Sequence, residues 1–229
     1  MSLLFPERVL VRLSPTEVSV GDRTVPCEPA FGAEAWHGAV SALDRLGIGQ
    51  RCRVTVVLSN HFVRYALIPW SDALASEAEE EAYVRHHFAR IHGDRAKAWA
   101  VRASDGGSGA PRLASAIENA LLDALRACFP ARGKAKLVSV QPALMELFNR
   151  ARGSIPRSGA WLVLAEPDRA CIALHAGRHW RAVQSAKDAW LTLLERMRLT
   201  VEGEVPQLVL LHGPDGVDEA PGWQVARVA

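Results

Sequence analysis

The sequence predicts an α/β chain built from two mixed-sheet halves. Three observations carry that expectation. Runs with strand alternation and helical periodicity come in the order three strands, a helix and a strand, and this order occurs twice. The segment Arg53-Val-Thr-Val-Val-Leu58 is a continuous, largely β-branched run, which suits a strand buried on both faces. Polar turn formers concentrate in Arg152-Gly-Ser-Ile-Pro-Arg-Ser-Gly159, between the two occurrences. The repetition is one of architecture, because no matching residues link the halves.

Residues 8–20 alternate apolar and polar on both sides of Ser14-Pro15-Thr16, as two strands around a tight turn require. Gly21-Asp22 signals a second turn, and residues 23–27 supply a third strand that Pro26 confines to an edge or an end. A helix follows, with Trp36, Ala39, Val40, Leu43 and Leu46 on one face and Gly47 and Gly49 as its stop. After the strand at 53–58, residues 61–68 alternate again before Pro69-Trp70. Ser76 stands three residues ahead of Glu79 in an acidic cluster, the signature of a capped helix start. Tyr83, Val84, His87, Phe88 and Ile91 continue that helix's apolar face. Residues 98–101 read as a strand, 105–111 as a loop, 114–129 as a helix, 137–140 as a strand and 142–152 as a helix. Beyond Gly159 the strands are 160–165, 171–175 and 179–185, then a helix at 188–199 and strands at 207–211 and 224–228.

Composition narrows the function classes. The chain has 229 residues, 49% of them hydrophobic, which is ordinary for a globular core and argues against disorder. With 27 basic and 25 acidic residues the net charge is +2, too mild for a nucleic-acid surface. No apolar run approaches the ~20 residues that span a bilayer, and residues 1–7 lack the basic and apolar regions of an export signal. Cys27, Cys52, Cys128 and Cys171 are scattered singly, which disfavours a disulfide framework or a zinc site. These features point to a soluble, cytoplasmic chain.

No motif demands catalysis. His86, His87 and His92 lack the i, i+4 spacing that brings two imidazoles onto one ion, and His175 and His179 have no third ligand nearby. Gly106-Gly-Ser-Gly109 has no lysine after it, so it reads as a loop rather than a phosphate cradle. The acidic run 77–81 is explained by a solvated first helical turn. Most of the seven tryptophans read as core residues, and Trp70, after Pro69 at a strand end, reads as the most exposed.

The segment Val54-Thr-Val-Val-Leu-Ser-Asn-His-Phe-Val-Arg-Tyr-Ala-Leu-Ile-Pro-Trp70, followed by the acidic helix start, resembles the actin-like cytoplasmic proteins of bacterial pilus and type II secretion platforms, the PilM-like and GspL-like group. The order of elements agrees over nearly the whole chain. The resemblance implies an actin-like fold, a ribonuclease H-like duplication of two mixed-sheet halves with a small inserted α+β subdomain. It places the first half at 1–152, with the insertion at about 61–117, and the second half at 153–229.

Nucleotide-binding members of such folds carry Asp- and Gly-rich phosphate hairpins. Here the corresponding turns are Arg12-Leu-Ser-Pro-Thr-Glu17 and Glu166-Pro-Asp-Arg-Ala-Cys171, without glycine. The adenosine-side glycines become His212-Gly-Pro-Asp-Gly216, split by a proline. The resemblance therefore implies a non-catalytic cytoplasmic scaffold of a type IV pilus or type II secretion inner-membrane platform, with no cofactor and no metal. It would bind the cytoplasmic tail of a membrane partner, with self-association or an assembly ATPase as further contacts, and reach the membrane only through partners. Phe62, Arg64 and Trp70 are its candidate partner-binding residues, being the aromatic and guanidinium types that anchor interfaces. The alternative is a divergent actin-like or sugar-kinase-like ATPase in which Glu166 or Asp168 holds magnesium.

Overall fold

The computed structural model describes residues 7–30, 32–49, 51–74, 76–130, 135–214 and 220–228. The readings of residues 1–6 and of Asp215-Gly216 fall outside them. The first strands are β1 (Glu7–Leu13), β2 (Glu17–Val20) and β3 (Arg23–Pro26), followed by α1 (His37–Ala42) and β4 (Cys52–Leu58). Then come β5 (Arg64–Ile68), α2 (Glu77–His92), β6 (Trp99–Ala103), β7 (Arg112–Glu118), α3 (Asn119–Cys128), β8 (Ala135–Pro142) and α4 (Ala143–Ala151). The chain ends with β9 (Ala160–Glu166), β10 (Arg169–Ala176), β11 (His179–Ala186), α5 (Trp190–Thr200), β12 (Leu208–His212) and β13 (Gln224–Arg227). It divides into two compact units, Met1–Val63 with Ile117–Ala143, and Arg64–Ala116 with Leu144–Ala229.

In the first unit the sheet order is β3-β2-β1-β4-β8. The β1–β2 and β2–β3 pairs are antiparallel, whereas β1–β4 and β4–β8 are parallel. Alternation sets the inner face: Val11, Leu13, Val54 and Val56 are buried, each two residues from the next on its own strand. Helix α1 lies against β2, α3 lies against β8, and the two helices touch. The buried Trp36 donates its indole N–H to the Glu118 carboxylate at 2.9 Å, so its polar atom is satisfied. At Gly38 the helix presses on the backbone of Glu28, whose carbonyl oxygen would lie 1.9 Å from an added Cβ.

The second unit holds a sheet of the same plan, β11-β10-β9-β12-β13, with two antiparallel pairs followed by two parallel ones. Its core gathers Trp161, Ile172 and Leu174 from the sheet with Leu193, Leu194 and Met197 of α5. In the same unit, β5, β7 and β6 form a three-stranded sheet in that order, and α2 covers it through Val84 and Phe88.

Most elements fall where the sequence places them. The exception is residues 114–129, which read as one helix; the chain instead forms β7 and only then turns into α3. As the central strand of its sheet, β7 buries Leu113, Ala114 and Ala116, so alternation does not mark it. Its alanines also favour a helix until tertiary pairing overrides them.

Candidate functional site: a groove beside Trp70

A groove of about 310 Å³ opens in the inserted part of the second unit, between the end of β5, the first turns of α2, the end of β6 and the start of β7. Helix α2 is fixed at its start by a reciprocal cap. Ser76 Oγ accepts from the Glu79 N–H at 3.3 Å, and Glu79 Oε2 accepts from the Ser76 N–H at 3.0 Å. That cap aims the first helical turns, with Glu77, Glu80 and Glu81, along one wall. Their negative charge is favoured at the positive end of the helix.

Arg112 of β7 joins the walls. Its Nη1 meets Glu80 Oε2 at 2.6 Å, and its guanidinium carbon sits 5.5 Å from the Trp70 ring centroid. The Trp70 indole donates in turn to Asp72 Oδ1 at 2.6 Å. Two buried polar atoms of the lining, Arg112 Nε and Ser104 Oγ, have no hydrogen-bond partner. Apolar surface from Ile68, Tyr83 and Val101 completes the wall.

Of the three residues singled out in the sequence, Trp70 alone lines this groove. Arg64 is exposed at the opposite end of β5; burial, and to a lesser degree the Arg64 charge, lowers the proton affinity of the His92 imidazole. Phe62 belongs to the other unit and is 8% exposed, which leaves little of its ring for a partner. Sequence reasoning passes over Arg112, Glu80 and Ser104; an Arg directly after Pro111 becomes informative only once β7 is known to be a strand. Of the six other tryptophans, Trp36, Trp99, Trp161, Trp180 and Trp190 are buried and Trp223 is half-buried.

The hairpins that correspond to phosphate loops are closed by their own chemistry. In the first unit Ser14 Oγ accepts from the N–H groups of Thr16 and Glu17, at 3.3 and 3.0 Å. The Ser14 N–H donates to Glu17 O at 3.0 Å, and Pro15 has no N–H. In the second unit Pro167 and Asp168 make the β9–β10 turn, so one of its two central residues has no N–H and the other is a carboxylate. Gly213 is held against β9, where an added Cβ would stand 2.8 Å from Ala165 Cβ.

The histidines do not converge on an ion. His86 is exposed, His87 is half-buried, and His92 packs edge-on against Trp99 at 5.0 Å. His175 lies against Phe148 and Trp180, while His179 Nδ1 faces the Gly177 carbonyl at 2.9 Å. Among the described residues no group of three His, Cys, Asp or Glu is arranged to hold a metal, and no helix is long and apolar enough to cross a membrane.

Two five-stranded sheets of one plan, with an inserted three-stranded subdomain, define an actin-like fold of the α/β class. Comparison with solved structures agrees. The chain is similar to the PilM–PilN type IV pilus biogenesis complex, with a TM-score of 0.65, 14% identity and coverage of 97% of this chain and 88% of that one. It is similar to the cytoplasmic domain of EpsL, an inner membrane component of the type II secretion system of Vibrio cholerae, with a TM-score of 0.55, 16% identity and coverage of 97% and 90%. A Bacteroides thetaiotaomicron protein of actin-like ATPase fold and unknown function gives a TM-score of 0.59 at 14% identity, covering 91% of this chain and 82% of that one. No protein-family model matches the chain, and no curated protein matches it.

Proposed function

We propose that this chain is a non-catalytic, cytoplasmic scaffold of a type IV pilus or type II secretion inner-membrane platform, and that it binds the cytoplasmic tail of a membrane partner. The observation that carries the reading is the Ser14-closed hairpin. Its amides are bonded within the turn, which removes the backbone donors a phosphate chain needs. The similarity to pilus and secretion proteins supports the setting. The groove supplies the means, with Trp70 as the anchor and the Arg112 guanidinium beside it. Arg64 would serve a tail that continues along β5, whereas Phe62 would offer a tail only the exposed edge of its ring.

The test is a titration with synthetic peptides spanning the cytoplasmic tails of membrane proteins encoded beside this gene. Binding to the wild type that weakens by about tenfold or more in both Trp70→Ala and Arg112→Ala supports the reading. Undiminished binding by both folded variants removes the groove from it, and a failure of every tail removes the scaffold role.

A further inference from the structure

The first unit carries a second surface, independent of the groove. On the face of its sheet opposite Val11 and Val54, Arg8, Arg53 and Lys136 stand in direct register on the adjacent parallel strands β1, β4 and β8. All three are exposed, and among the described residues none makes an ion pair or side-chain hydrogen bond. The next row holds Leu10, Thr55 and Ser139, and the bulge in β8 adds Val138 beside them. Leu10 is 38% exposed and Val138 47%, although large aliphatic side chains of a sheet are normally covered.

Two physical arguments bear on this face. Neighbouring strands lie about 4.8 Å apart, so three cations in one row repel one another and lower the sheet's own stability. Folding gives no reason for that arrangement, whereas an anionic partner would reverse its sign. Parallel strands are ordinarily covered on both faces by helices. Here, among the described residues, the N-terminal halves of β1, β4 and β8 are covered on one face only, and Val57, toward the C-terminal end, is again buried at 2%.

We propose that this face docks an amphipathic helix from a partner protein, with an aliphatic stripe over Leu10 and Val138 and carboxylates against Arg8, Arg53 and Lys136. Nucleic acid fits less well, because the face offers three cations with no aromatic side chain among them for bases to stack on.

The test selects displayed helical peptides, with leucines fixed at i, i+3, i+4 and i+7 and flanking positions randomised, against the full chain. The selected peptides are then titrated against the wild type, the double variant Arg53→Glu with Lys136→Glu, and Leu10→Ser. The expected result is enrichment of Asp and Glu at the flanks and binding about tenfold or more weaker in both variants. The charge-reversed chain should also melt at or above the wild-type temperature, because Arg8 then faces a carboxylate at position 53 and only the 53–136 neighbours keep like charges. The proposal is overturned by no enriched peptide, by basic or indifferent flanks, by equal binding in either variant, or by a lower melting temperature for the charge-reversed one. Sedimentation with vesicles of phosphatidylcholine and phosphatidylglycerol is run alongside. Capture by the vesicles that the variant abolishes and the peptides do not compete assigns the face to a membrane surface instead.

Discussion

Arg112 answers two neighbours at once, the Glu80 carboxylate at 2.6 Å and the face of the Trp70 indole at 5.5 Å. Its pair with Glu80 is part-exposed, 23% and 36%, so solvent screens much of the attraction. Arg112→Ala is expected to cost about 0.5–1 kcal/mol in urea denaturation, far less than loss of a core residue. A loss of several kcal/mol would show that Arg112 holds the subdomain together rather than shaping a surface. His175 presents the opposite case. Its Nδ1 is buried without a partner between Phe148 and Trp180, and burial, reinforced by the charge of His179, lowers its pKa below the usual value of 6.5. The unfolded chain therefore binds this proton more readily than the folded one. The resulting stability is present above the unfolded pKa and is lost as pH falls through the lowered folded pKa. His87 and His92 are lowered too, so they act in the same sense. Melting temperature is expected to drop from pH 7 to pH 5, and His175→Phe is expected to reduce that drop. An identical pH profile for the variant contradicts this assignment.

At the scale of elements, legibility in the sequence follows from whether an element carries its own punctuation. Helix α2 was legible because Ser76 and Glu79 close a cap that depends on local chain alone. The hairpin β1–β2 was legible because Ser14-Pro15-Thr16 interrupts clean alternation. Strand β7 was hidden, since Glu118 runs directly into Asn119 and the start of α3 with no Gly or Pro between them. That omission also hid the groove, whose far wall includes Arg112 at the start of β7. Gly38 is a different element-scale constraint, visible only in three dimensions, because the contact that forbids a side chain comes from Glu28 on the incoming loop. Gly38→Ala is expected to force α1 away from that loop and destabilise the chain by about 1–3 kcal/mol. Chemical denaturation checks it, and an unchanged midpoint would mean the loop moves aside freely.

For the molecule as a whole, element order was the most readable property. Three strands, a helix and a strand, met twice, become two sheets of identical strand order and orientation. The strand registers that bring Arg8, Arg53 and Lys136 into one row were not readable, because they depend on pairings between distant segments. The same limit applies to Phe62, whose burial is set by its surroundings and not by its residue type. The losses at the phosphate hairpins were readable as missing glycines. The structure adds how the space is used, with Ser14 Oγ taking two turn amides and Gly213 lying against Ala165.

The proposal that this actin-like fold serves binding rather than nucleotide chemistry is tested most directly by isothermal titration calorimetry of the full chain with Mg-ATP. The account predicts no binding heat above dilution, because the first hairpin's amides are bonded within the turn and the second presents Pro167 and the Asp168 carboxylate. A saturable isotherm with a micromolar dissociation constant would contradict it and restore the ATPase alternative.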